Sequence, residues 1–99
     1  MKQHDYQFAP LAERDLEKIQ DTLADQYFER DIRFMLKFQQ CIDQIRVFPE
    51  SGRAYKVIGG YRMIPIWDYV MFYKFEDGLI KIERVIHGAR NIEAAFYEE

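Results

Sequence analysis

The run from Gly59 to Arg90, GGYRMIPIWDYVMFYKFEDGLIKIERVIHGAR, constrains this chain more than any other stretch. Tyr61–Ile66, Tyr69–Glu76 and Leu79–His87 are dense in β-branched and aromatic residues, and only Trp67-Asp68 and Asp77-Gly78 separate them. Asp-Gly between such runs is a strong hairpin signal, because a type I′ turn needs φ > 0 at both central residues. The run therefore predicts a three-stranded antiparallel meander. Two-residue loops set its register: Phe75 opposite Ile80, Tyr73 opposite Ile82, Met71 opposite Arg84, and on the other side Ile66 opposite Tyr69 and Arg62 opposite Tyr73. Opposed residues share a face. One face then carries Ile64, Ile66, Tyr69, Met71, Tyr73, Phe75, Ile80, Ile82 and Ile86, a core. The other carries Tyr61, Met63, Val70, Phe72, Lys74, Lys81, Glu83, Val85 and His87, amphipathic and half open. Arg62 and Arg84 fall on the core face in this register. Either each has a carboxylate partner, or a bulge near Ile82–Arg84 turns Arg84 out.

The rest of the chain supplies what covers that sheet. Asp5–Ala9 reads as a short strand. Pro10 suits a first helical position, where its missing N–H would be unpaired anyway. Ala12, Leu16, Ile19, Leu23 and Tyr27 follow at helical spacing, with Glu13, Arg14, Glu17, Lys18 and Asp21 on the wet side, so a helix is expected at about residues 10–26. A second, at about 28–48, carries Phe28, Ile32, Met35, Phe38, Ile42 and Ile45, with Phe34, Cys41 and Phe48 widening the stripe. No Gly or Pro lies between Pro10 and Pro49, so one long kinked helix competes. Burial argues for a hairpin, since a single helix would leave its stripe uncovered. Pro49-Glu50-Ser51-Gly52 stops the helix. Arg53–Ile58 reads as a strand and Asn91–Tyr97 as a short closing helix or turn. Helices gathered on one face of an antiparallel sheet make this an α+β fold, in one domain over residues 1–99. The expected packing sets Leu16, Ile19, Leu23, Phe38, Ile42 and Ile45 against Ile64, Met71, Tyr73, Ile80 and Ile82.

Function classes narrow by exclusion. The single cysteine, Cys41, rules out an internal disulfide or a Cys-rich zinc site and reads as a small buried side chain. The start, MKQHDYQFAP, has no apolar signal region, and no stretch approaches the length of a membrane span; a cytoplasmic protein is expected. The net charge of −3 does not suit a duplex-DNA binder, although residues 51–67 hold Arg53, Lys56 and Arg62 and no acid. There is no phosphate-cradling loop, no HExxH and one serine, Ser51. No cofactor and no metal site is expected. What remains is His87, Arg90 and Tyr97 near the end of the last strand, with Arg62 across the sheet. Such groups offer a general base, a general acid and a cation for RNA cleavage. The plain structural alternative is that His87 caps a strand, Arg90 pairs with Glu93 or Glu98, and Tyr97 packs.

Several pieces in order and spacing carry a resemblance over nearly the whole length. They are Ala12…Asp15-Leu16…Ile19, Phe48-Pro49…Gly52, Gly60-Tyr61-Arg62, Tyr69-Val70-Met71-Phe72-Tyr73 and Ile80…Ile82…Arg84-Val85-Ile86-His87-Gly88-Ala89-Arg90. The chain resembles the ParE branch of the RelE/ParE superfamily of bacterial toxins. The resemblance implies a helical hairpin on a twisted antiparallel sheet and a cognate antitoxin of the ParD kind. ParE-type members poison DNA gyrase, whereas RelE-type members cleave messenger RNA in the ribosome. Arg90 matches a basic position of the RelE-type site, but Val70 stands where its central strand is basic. Phe96 or Tyr97 falls at its C-terminal tyrosine, and Arg62 is flanked by Met63 and Ile64 instead of paired lysines. This implies a gyrase poison with no catalysis of its own. The alternatives are an mRNA interferase using Arg62, His87, Arg90 and Tyr97, or a non-toxic binding homologue. Target contact is expected at Arg90, His87, Lys74 and Lys81. Antitoxin contact is expected at Phe28, Phe34, Met35, Met63, Val70 and Phe72, because a free domain should not leave so much apolar surface contiguous.

Overall fold

A computed structural model describes residues 2–26 and 28–97; Tyr27 and Glu98, both named above, lie outside them. The elements are β1 (Asp5–Phe8), α1 (Pro10–Gln26), α2 (Arg30–Val47), β2 (Arg53–Tyr55), β3 (Tyr61–Ile66), β4 (Tyr69–Glu76), β5 (Leu79–His87) and α3 (Ile92–Phe96). The helical region does break in two. Glu29 makes the break with a left-handed backbone, φ 64°, a conformation with no Gly or Pro to announce it. The expected strand Arg53–Ile58 ends at Tyr55.

The sheet order is β1-β5-β4-β3-β2. β2 to β5 form the antiparallel meander, whereas β1 lies parallel to β5 at the far edge, with Asp5 beside Leu79 and Phe8 beside Ile82. The sheet is therefore mixed. Asp77 (φ 53°) and Gly78 (φ 74°) are both left-handed, as the primed turn requires.

The register holds from Glu76↔Leu79 to Tyr73↔Ile82 and then shifts, so that Phe72 faces Arg84, Met71 faces Val85, Val70 faces Ile86 and Tyr69 faces His87. Glu83 is the extra residue of a bulge, and every β5 residue after it changes face. Val85 joins the helix-side core and Ile86 the opposite one, the reverse of the regular register. His87 likewise moves to the helix side, opposite Tyr69.

The helix-side core brings Leu16, Ile19, Leu23, Phe38, Ile42 and Ile45 together with Met71, Tyr73, Ile80 and Ile82, and Ile64 packs at its margin. The other face is not open. Phe96 and Ala95 of α3, with Ile58, close over Val70, Phe72 and Ile86 as a second core.

Two arginines hold these layers. Arg84 is 5% exposed. Its Nε and Nη2 donate to the Asp15 carboxylate at 2.8 and 3.0 Å, and its Nη1 donates to the carbonyls of Ala95 and Phe96 at 2.7 and 2.6 Å. Asp15 also accepts Val85 N–H at 2.9 Å. β1 pairs only as far as Ile82, so this carboxylate satisfies a backbone donor on the uncovered edge of β5. Arg62 finds carbonyls instead of a carboxylate, donating to Glu50 O at 3.2 Å and Gly52 O at 2.8 Å. Beside it the Tyr73 hydroxyl donates to Pro49 O at 2.7 Å and accepts Gly52 N–H at 2.9 Å.

Candidate functional site

The bulge decides where His87 lies. Its ring meets Tyr69 edge-on, with centroids 5.1 Å apart. Its Nδ1 accepts Ala89 N–H at 3.1 Å, which leaves the proton of the neutral imidazole on Nε2, a donor. Gly88 lets the chain turn close here: its N–H donates to Asp68 O at 2.7 Å, and a Cβ would stand 3.3 Å from that oxygen. Arg90 N–H then donates to His87 O at 3.1 Å. A cleft of about 160 Å³ opens between this turn and α1, lined by Asp15, Lys18, Thr22, Tyr69, His87 and Arg90 among others. Burial, reinforced by Asp68 and opposed by Arg30, pushes the Tyr69 phenol above its ordinary range.

A series of ring contacts leads away from the cleft. Tyr69 meets Phe34 at 5.5 Å, Phe34 meets Trp67 at 5.5 Å, and the Arg30 guanidinium lies 5.0 Å from the Trp67 centroid. Sequence reasoning missed Lys18, Arg30 and Trp67 as members of this surface. The available signal was a tryptophan in a two-residue turn.

The four nuclease candidates do not converge. Arg62 stands level with Tyr73, and His87 level with Tyr69, which separates them by about 13 Å along the strands. Arg62 is committed to the turn after α2. Tyr97 follows α3 on the far face of the sheet, its ring 5.5 Å from Phe96. Only His87 and Arg90 share a cleft.

The target-contact candidates divide in the same way. Lys74 and Lys81 face each other on the α3 side, about 17 Å along the strands from His87. Lys74 pairs with Glu76 at 3.0 Å, which raises its pKa, and lies 4.9 Å from the Tyr61 ring centroid.

Of the antitoxin-contact candidates, Phe28 is 90% exposed, while Met35 and Met63 are half-buried. Phe34, Val70 and Phe72 are buried inside the domain: the first lies in the helix–sheet core, the others under α3. Ile32 (57%) and Leu36 (63%) stand exposed about one turn apart on α2, and Phe28 precedes the helix. Cys41 is buried, and burial pushes its thiol pKa up, opposed by Lys37. Among the described residues no His, Cys, Asp and Glu are grouped to hold a metal ion, and no helix is long and apolar enough to cross a membrane.

Several solved structures share this fold, three of which follow. A chain of the chromosomal ParDE toxin–antitoxin system from P. aeruginosa superposes with a TM-score of 0.74 at 16% identity, covering 86% of this chain and 96% of that one. The toxin–antitoxin complex RelBE2 from Mycobacterium tuberculosis gives 0.61 at 20% identity, over 86% and 98%. The DinJ–YafQ toxin–antitoxin complex from E. coli gives 0.59 at 18%, over 97% and 99%. No curated protein sequence matches the chain. The model of the ParE toxin of the type II toxin–antitoxin system parDE matches residues 6–92. With that match spanning most of its length, the chain belongs to the ParE toxin family of type II toxin–antitoxin systems.

Proposed function

We propose that this toxin acts in the cytoplasm by binding DNA gyrase and trapping its DNA-cleaved state, without catalysis of its own. The observation that carries this reading is the dispersal of the nuclease candidates. A ribonuclease needs a base, an acid and a phosphate-stabilising cation around one scissile bond. Here Arg62 is spent on the turn carbonyls of Glu50 and Gly52, and Tyr97 lies on the opposite face from His87. His87 and Arg90 remain together in a cleft that suits contact with a partner. In the resting state the antitoxin covers Ile32 and Leu36 on α2 and Phe28 before it with an amphipathic segment, since these otherwise stand exposed.

A paired substitution tests the mechanism. Arg90→Ala keeps the fold and weakens inhibition of gyrase supercoiling, by about 30-fold if the arginine is a binding hot spot worth ~2 kcal/mol. His87→Phe weakens inhibition only by one lost contact, a few-fold at most, because no proton is transferred. Loss of toxicity in His87→Phe with an unchanged melting temperature, together with cut messenger RNA in expressing cells, would replace this reading by the interferase.

A further inference from the structure

Trp67 occupies the tip of the β3–β4 hairpin with a left-handed backbone, φ 56°. Gly or Asn takes such a position easily, whereas a bulky side chain there is an outlier. Burial does not compensate, since the residue stays 42% exposed. Yet its ring is oriented from two sides, by Arg30 and by Phe34. Strain kept at an exposed but oriented tryptophan points to binding, because Trp and Arg are the side chains that most often dominate protein interfaces.

The cleft next to it has a definite polarity. Its one lining carboxylate, Asp15, already accepts from Arg84 and from Val85 N–H. Lys18, Arg90 and His87 also line it. The volume, about 160 Å³, suits a single acidic group. A nucleic-acid backbone would also have to pass the exposed Asp68, whose backbone carbonyl accepts from Gly88 at this turn, on a chain of net charge −3. A lone carboxylate on a protein surface meets less repulsion.

We infer that this end of the molecule is the target-docking site: Trp67, braced by Arg30, anchors in an apolar recess of the target protein, and the cleft of Lys18, His87 and Arg90 receives an acidic side chain of the same target. The inference rests on the gyrase reading only for the identity of that target.

The test uses the purified full-length chain with Trp67→Gly, Lys18→Glu and Lys18→Arg. Gyrase supercoiling, growth arrest on expression and melting temperature are read for each. Trp67→Gly and Lys18→Glu should each weaken gyrase inhibition and growth arrest by at least about tenfold. Lys18→Arg should keep both, and all three should melt within a few degrees of the wild type. Undiminished potency in Trp67→Gly or in Lys18→Glu overturns the site. Binding of the wild type to a short fluorescent DNA duplex, abolished by Lys18→Glu, makes the bound anion a phosphate and overturns the carboxylate. If the wild type arrests growth without inhibiting gyrase, the gyrase reading fails, and the site is judged on growth arrest alone. A wild type that does neither removes both.

Discussion

Replacing Asp15 with Ala should be among the most damaging single changes available to this fold. The carboxylate accepts three hydrogen bonds, from Arg84 Nε at 2.8 Å, Arg84 Nη2 at 3.0 Å and Val85 N–H at 2.9 Å. The side chains of Arg84 and Asp15 are only 6% and 13% exposed. Breaking a buried pair by removing one partner costs about 3–5 kcal/mol, because the remaining charge is stranded. Arg84 keeps the carbonyls of Ala95 and Phe96, so the low end applies, about 3 kcal/mol. A domain of this size has roughly 5–15 kcal/mol in total. In urea the midpoint should fall by about 1–3 M with an unchanged slope, and the melting temperature by roughly 12–24 °C. Asp15→Asn keeps an acceptor for Val85 and should cost about half as much. The double change Asp15→Leu with Arg84→Met removes both charges but leaves Val85 N–H and the carbonyls of Ala95 and Phe96 without these partners, so it should recover only a minor part of the loss. A cost below about 1 kcal/mol for Asp15→Ala would refute the view that this pair fastens α1, β5 and α3 together.

Two further changes probe the turn after α2. A Cβ at Gly52 would sit 2.6 Å from the Tyr73 hydroxyl oxygen and 2.7 Å from its Cε1, and Tyr73 is fully buried with nowhere to retreat. Gly52→Ala should therefore cost about 1–3 kcal/mol by overpacking, measured by chemical denaturation, whereas Gly59→Ala, with open space around it, should cost less than Gly52→Ala. Burial, opposed by the Gly52 hydrogen bond and by Arg62, raises the Tyr73 phenol above its ordinary value. The neutral phenol is thus favoured in the folded state. Its contribution is complete below pH about 10 and is lost as pH rises toward the folded pKa, while the unfolded chain ionises first. Stability followed by circular dichroism should fall on the alkaline side, and less steeply in Tyr73→Phe.

How much of this was legible in the sequence depends on the range of the forces involved. β3, β4 and β5 were legible to the residue, because the Asp77-Gly78 turn and the alternation around it are local signals. The helices were legible from Leu16, Ile19 and Leu23 and from Phe38, Ile42 and Ile45, whose spacing dictates burial. The break between them was placed close to Glu29, but its left-handed backbone has no marker in the residue type. The parallel pairing of β1 was not legible, because two helices intervene before the strand it joins. The cover over Val70 and Phe72 was missed for a related reason. α3 has five residues, too few to announce an apolar face, and Arg84 fixes its last carbonyls from the strand beneath.

The candidate site depended on one residue of register. In an unbroken meander His87 shares a face with Lys74 and Lys81, the side on which α3 and Tyr97 lie. A histidine, two lysines and a tyrosine would then look across one surface, which is the kind of grouping that RNA cleavage asks for. Glu83 is inserted instead, and Tyr69 becomes the neighbour of His87. The same insertion takes Arg84 off the helix-side core and lets it reach both Asp15 and α3. A charged residue that the regular register would bury among Leu and Ile side chains is satisfied, so the bulge has a stabilising reason independent of function. Its functional consequence follows from the period of the strand, since every side chain beyond it changes face. His87 is carried to the end of the molecule where Lys18, Arg90 and Trp67 stand, away from Lys74, Lys81 and Tyr97. A local repair of one buried arginine thus decides which side chains this histidine stands among.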